Sequence, residues 1–210
     1  MEVIEGYKKT DVGIIPNDWD VRELGEVVVF TNGKAHEQYI DHNGNYIVVN
    51  SKFISSEGEV AKYSKENLSP LFTGDITMVM SDIPNGKALA KCFLVKQNGK
   101  YTLNQRICSF KPYNASNEFL LYILNRNKYF LAFDSGVGQT NLKKSEVLDC
   151  PIPLPTKEEQ TAIATALSDA DALIISLEKL ITKKRFSGRG SCYFPDALYF
   201  FSDIICDISA

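Results

Sequence analysis

The sequence predicts an α/β chain, a mixed sheet with helices followed by one long coiled-coil-forming α-helix. Three observations predict it. Short β-branched and aromatic runs recur up to about residue 110, as strands do. The segment Cys150-Pro151-Ile152-Pro153-Leu154-Pro155 alternates prolines, which forbids helix and enforces an extended backbone. From Thr156 onward an apolar stripe repeats every seven residues with no Gly or Pro before Lys184.

In chain order, Val27 to Thr31, Tyr46 to Asn50, Asp75 to Ser81, Ala88 to Val95 and Tyr101 to Phe110 read as strands. The last two flank Gln97-Asn98-Gly99-Lys100, whose Asn-Gly favours positive φ angles, so a tight antiparallel hairpin is expected there. Ser116 is a cap for a helix running to about Phe133, with Phe119, Leu120, Ile123, Leu124 and Phe130 at near-helical spacing. Asp134-Ser135-Gly136-Val137-Gly138 breaks that helix and opens a loop bearing Gln139-Thr140-Asn141 and Lys143-Lys144. Thr156 with Glu159 forms a capping box, so a helix of roughly 43 Å is expected through Lys184. Its seam comprises Ile163, Leu167, Ala170, Leu173, Ile174, Leu177, Leu180 and Ile181, and calls for a partner helix. The expected division is therefore 1–155, 156–185 and an aperiodic tail, 186–210. Trp19, Phe53, Phe110 and Phe119 are assigned to the core, since buried aromatics far outnumber base-stacking platforms.

Composition excludes several classes. The 210 residues are 44% hydrophobic and carry a net charge of -3, an ordinary globular balance. No apolar run is long enough for a membrane span and Met1 to Thr10 lacks a signal-peptide pattern, so a cytoplasmic, membrane-free setting is expected. The 5 cysteines, Cys92, Cys108, Cys150, Cys192 and Cys206, are widely spaced without C-x-x-C and read as reduced small hydrophobes. Charge is segregated along the chain. Residues 86–130 carry Lys87, Lys91, Lys96, Lys100, Arg106, Lys111, Arg126 and Lys128 against Glu118 alone, a block suited to phosphates.

Catalytic patterns are weak. The 2 histidines, His36 and His42, stand in no metal-ligand spacing, and neither a nucleophile elbow nor a dinucleotide-binding glycine pattern occurs. Ser81 to Ala88 approaches a P-loop, but Ser81 stands where the first Gly belongs and Ala88 where the Mg²⁺-binding hydroxyl belongs. No metal and no cofactor are expected in this chain.

Three segments carry a family resemblance covering nearly the whole chain up to about Lys184. The first runs from Gly6-Tyr7-Lys8-Lys9-Thr10 through Val12-Gly13-Ile14-Ile15-Pro16 to Trp19 and Leu24-Gly25-Glu26. The second is Asn104-Gln105-Arg106-Ile107-Cys108. The third and most specific is Gly136-Val137-Gly138-Gln139-Thr140-Asn141-Leu142, then Pro151 to Pro155, Glu158-Glu159-Gln160 and the long helix with Leu167, Asp169 and Asp171. Together they resemble the specificity (S) subunit of type I DNA restriction-modification systems. The resemblance implies a non-catalytic reader of double-stranded DNA built from target recognition domains, each followed by a spacer helix. It implies partner methyltransferase (M) subunits that use S-adenosylmethionine, and a restriction (R) subunit that uses ATP and Mg.

The family usually carries two recognition domains with antiparallel spacers, whereas one of each stands here. Where its spacer continues as helix past the Lys-Lys-Arg at 183 to 185, this chain turns to Phe186-Ser187-Gly188, as a truncated or frameshifted gene would. A homodimer through the heptad seam, or pairing with another S subunit, restores two recognition domains, and a two-fold dimer requires a palindromic bipartite site. The DNA contacts expected from loop and strand-end polar groups are Lys34, His36, Gln38, Ser81, Asp82, Asn85, Lys87, Gln105, Arg106, Gln139, Thr140 and Asn141. The competing class is an interaction module that pairs through its helix with a complete S subunit and reads no DNA.

Overall fold

A computed structural model describes residues 5–83 and 86–187, with 185–187 described by backbone alone. The strands and helices, in chain order, are β1 (Tyr7–Thr10), β2 (Gly13–Pro16), β3 (Asp20–Glu23), β4 (Val28–Asn32), β5 (Tyr46–Val49), α1 (Ser51–Ser55) and β6 (Tyr63–Ser64). There follow β7 (Ile76–Val79), β8 (Ser81–Asp82), β9 (Cys92–Leu94), β10 (Tyr101–Leu103), β11 (Ile107–Pro112), α2 (Asn117–Leu124) and α3 (Lys128–Leu131). The last are β12 (Thr140–Asn141), α4 (Lys144–Leu148), β13 (Pro151–Leu154) and α5 (Lys157–Ser187). Among the described residues they form two compact units, Asp20–Leu154 and a second that joins residues 5–19 with residues 155–187. Among the described residues, Glu5 to Trp19 group with α5 and not with the unit that ends at Leu154.

The larger unit is built on a 4-stranded antiparallel sheet, β4-β11-β7-β9, beside a 3-stranded sheet, β10-β5-β6, in which β10 and β5 run parallel. Strand β7 is buried at every position, and its neighbour β11 is buried from Ile107 to Phe110. With both faces covered, Ile76 to Val79 and Ile107 to Phe110 are apolar except for Thr77 and Ser109, which stand opposite each other. Phe119, Leu120 and Leu124 bury the inner side of α2. A connected cluster of Val49, Phe53, Ile54, Leu71, Val79, Tyr101, Leu103 and Ile107 fills the space by β5 and β10, where the Phe53 and Phe93 rings meet edge-on at 5.1 Å between centroids. Cys108 and Cys150 are buried free thiols whose pKa burial drives upward, that of Cys150 to about 12, so both stay protonated.

Four expectations of local structure are corrected. The stretch from Tyr101 to Phe110 is two strands, split at Asn104-Gln105-Arg106, and the segment after Asn98-Gly99 does not pair back on β9. Gly99 does take φ 69°, but Asn98 Oδ1 accepts from Thr73 N at 2.7 Å and the chain proceeds to pair with β5 instead. The strand expected over Ala88 to Val95 contracts to β9, because Asp82 Oδ2 accepts from the backbone N–H groups of Ala88 and Leu89 at 2.7 and 3.1 Å. The helix from Ser116 is capped as expected, with Ser116 Oγ accepting from Phe119 N, yet ends at Leu124. Arg126 there takes φ 59° and donates from its guanidinium to Leu89 O at 3.0 Å and Lys87 O at 3.3 Å. Its backbone N–H donates to Ala90 O at 2.9 Å, and that tertiary bond replaces the helical one that continuation would have made.

In the smaller unit, β1 and β2 form an antiparallel hairpin, Tyr7 opposite Pro16. Helix α5 starts in the capping box read from sequence: Thr156 N donates to Glu159 Oε2 at 3.0 Å, and Glu159 N donates to Thr156 Oγ1 at 3.3 Å. Trp19 is half-buried rather than core, and its indole N–H donates to Glu159 Oε1 at 3.3 Å. Phe53, Phe110 and Phe119 are buried as assigned. No described helix is long and apolar enough to cross a membrane. Asn85, Cys192, Cys206 and the tail beyond Ser187 lie outside the described residues.

Candidate nucleic-acid interface

One end of the 4-stranded sheet gathers most of the polar residues singled out above. Asn104 to Ile107 form a turn, with Ile107 N donating to Asn104 O at 3.0 Å, and its tip exposes Gln105 and Arg106. On one side, Gly33 N donates to Ile107 O at 3.1 Å and Lys34 N to Leu103 O at 3.0 Å. Gly33 permits this approach, since a Cβ there would run into the backbone of Leu103 and Asn104. On the other side, Met80 N donates to Arg106 O at 3.1 Å, and Leu142 N donates to Met80 O at 2.8 Å. This row of backbone bonds lays the segments around Lys34, Arg106, Ser81 and Asn141 side by side, with Arg106 at the middle.

Lys34, Gln38, Lys87, Gln105, Arg106, Gln139 and Asn141 are exposed. Gln105 Nε2 donates to Glu37 Oε1 at 3.2 Å, which ties the turn to the segment after Lys34. Glu37 was missed by sequence reasoning, although it stands between two residues that were chosen. Thr140 is half-buried and Ser81 is buried.

His36 is a correction. It is fully buried, with Nδ1 at 2.7 Å from Lys34 O and Nε2 at 2.8 Å from Thr102 Oγ1. A carbonyl only accepts, so Nδ1 donates to Lys34 O, and Nε2 meets the Thr102 hydroxyl. The ring therefore fixes the Lys34 backbone against β10 and does not face outward. Asp82 also works inward. Its carboxylate accepts from the Ile83, Ala88 and Leu89 N–H groups, so these three amides are already satisfied.

The basic block divides. Lys91 borders the Arg106 end of the sheet, where its carbonyl accepts from Val79 N, while Lys111, one residue after the Phe110–Ile76 pair, belongs to the opposite end. Lys96 also belongs there, since Val95 N donates to Asp75 O. Arg126 is spent on loop carbonyls. The cations that these backbone bonds place along the rim are Lys34, Lys91 and Arg106, with Lys143, ion-paired to Glu146 at 3.5 Å, next to Leu142. Such a mixture of cations with Gln and Asn amides suits phosphates and base edges together.

The type I restriction modification DNA specificity domain family matches residues 16–184. The chain belongs to this family. Among relatives, it is 31% identical over 193 residues to the putative type I restriction enzyme MjaX specificity subunit of Methanocaldococcus jannaschii, covering 84% of this chain and 45% of that one. It is 28% identical to the type I restriction enzyme EcoDI specificity subunit of Escherichia coli, covering 82% of this chain and 34% of that one. The chain of this specificity-domain family member therefore spans less than half the length of these relatives. Its fold is similar to the S subunit structure from M. genitalium, with TM-score 0.59, 20% identity and coverage of 85% and 44%. It is likewise similar to the HsdS subunit of Thermoanaerobacter tengcongensis, with TM-score 0.60, 17% identity and coverage of 85% and 43%. A mixed-sheet domain followed by a long helix is thus the family's arrangement, as the sequence predicted.

Proposed function

We propose that this chain is a non-catalytic, sequence-specific DNA-binding subunit of a type I restriction-modification complex. It directs partner methyltransferase and restriction subunits to one half of a bipartite target. The observation that carries this reading is the rim centred on Arg106, where separate segments align their exposed cations and amides at one end of a buried sheet. Residues 1–155 serve as the target recognition domain and 156–185 as the spacer, with 186–210 an appended tail. S-adenosylmethionine, ATP and Mg belong to the partner subunits, and the complex acts on chromosomal DNA in the cytoplasm. Two copies pair through Leu173, Leu177, Leu180 and Ile181 of α5, which gives a two-fold reader of a palindromic bipartite site.

The test is a genome-wide map of modified bases in a methylation-free host that expresses this chain with its cognate methyltransferase subunit, beside the methyltransferase alone. Methylation at a palindromic bipartite motif, dependent on this chain, is the expected result. An asymmetric motif would replace the homodimer by pairing with another S chain. Absence of methylation from a soluble, methyltransferase-bound complex would overturn the DNA-reading assignment. Arg106→Ala is expected to weaken cognate binding by about 1–3 kcal/mol and relax one position of the motif.

A further inference from the structure

Beside the Arg106 turn, three side chains form a small closed arrangement. Asn141 pairs directly with Ser81 in the β12–β8 ladder, and Gln139 lies two residues before it, on the same side of the extended chain. Ser81 Oγ donates to Asn141 Oδ1 at 2.7 Å and accepts from Gln139 Nε2 at 2.6 Å. The same Gln139 nitrogen donates to Asn141 Oδ1 at 3.1 Å. Thr140 turns away and donates to Asp134 Oδ1 at 3.0 Å, an oxygen that also accepts from Gly136 N at 2.9 Å. The loop that carries the two amides is therefore tied down at its base.

These bonds decide which corner of each amide faces outward. Asn141 spends its oxygen on two donors, so its Nδ2 is presented, and Gln139 spends its nitrogen, so its Oε1 is presented. Among the described residues neither presented atom has a protein partner. One donor thus stands beside one acceptor, both on exposed side chains, while the serine that orients them is only 7% exposed. On a single base edge in the major groove, that pair complements adenine, which offers an N6 amino donor and an N7 acceptor. Guanine offers two acceptors, cytosine a donor alone and thymine an acceptor beside a methyl group.

We infer that Gln139 and Asn141, held in place by Ser81, form a two-residue clamp that reads one adenine of the target. The adenine N6–H donates to Gln139 Oε1, and Asn141 Nδ2 donates to adenine N7. Ser81 is a positioning residue. Because both amides are oriented before DNA arrives, binding loses less side-chain freedom than two mobile amides would. This assignment rests on the DNA-reading function proposed above.

The test uses the full chain bound to its methyltransferase subunit and duplexes of the mapped motif. A comparison of the motif with a scrambled duplex comes first; no preference there overturns the DNA-reading function, and the clamp with it. Each adenine of the motif is then replaced singly by 7-deazaadenine, which removes N7 and keeps pairing. At one adenine the replacement is expected to raise Kd about tenfold or more. Asn141→Asp keeps the shape and still accepts from Ser81 and Gln139, but removes the donor. In that variant, sensitivity at that adenine is expected to vanish while the remaining positions discriminate as before. A wild-type complex that prefers its motif yet tolerates 7-deazaadenine at every position overturns the clamp alone, as does a variant that keeps the sensitivity.

Discussion

The two halves of α5 share one heptad pattern and meet different fates. Near its start the seam residues Ile163, Leu167 and Ala170 are half-buried, beside Gln160 at 1% and Ala164 at 5% exposed, and the Gln160 amide donates to Pro155 O at 2.9 Å. Farther along, Leu173 is 61%, Leu177 48%, Leu180 53% and Ile181 51% exposed. The proximal half is partly covered by its own chain, and the distal half offers the same kind of apolar stripe to solvent. A seven-residue period therefore states that a helix face requires cover, while the surroundings decide whether the chain itself provides it.

Placing the same charge in each half breaks this contrast most directly. Ala164→Glu buries a carboxylate without a prepared partner and is expected to cost at least about 2 kcal/mol, read by thermal or urea unfolding. An unchanged midpoint would mean that the proximal half is not packed as described. Leu177→Glu with Leu180→Glu is expected to leave monomer stability within about 0.5 kcal/mol. The molar mass by light scattering should fall from dimer to monomer, and a dimer that persists would remove the distal seam as the interface.

The smallest expected effect sharpens the start of the helix. The Thr156 hydroxyl, then the Thr156 backbone N–H and the Trp19 indole, hold the Glu159 carboxyl below its ordinary 4.5. A carboxyl whose pKa is depressed by folding stabilises the fold above its ordinary value, and that contribution is lost as pH falls through the lowered value. Trp19→Phe removes one of these donors. Its melting temperature should lie a few degrees below wild type at pH 7, with the gap narrowing at pH 3. An equal gap at both values would show that the indole acts through packing alone.

Much of this molecule was legible where a side chain acts on its own neighbourhood. The proline segment is extended as β13, the Thr156–Glu159 box opens α5, and Ser116 caps α2. Most of the misreadings share a cause, a partner far along the chain. Asn98 and Gly99 suggest a hairpin, yet Tyr101 to Leu103 pair with Ile47 to Val49, more than fifty residues earlier. His36 looks like a loop ligand until Thr102 encloses it. For the candidate site, the residue types were readable and their grouping was not. Glu37 went unnoticed because its partner, Gln105, lies 68 residues away.

By itself, then, the sequence determined the extended proline segment, the caps of α2 and α5, the seam of α5 and the family resemblance. These follow from backbone preferences and side-chain spacing within a few residues. Only the tertiary structure decided which strands pair, which polar groups turn inward, and that Lys34, Arg106, Gln139 and Asn141 share one rim. A buried donor or acceptor takes whichever partner the packed chain brings within reach, and no local pattern specifies that partner.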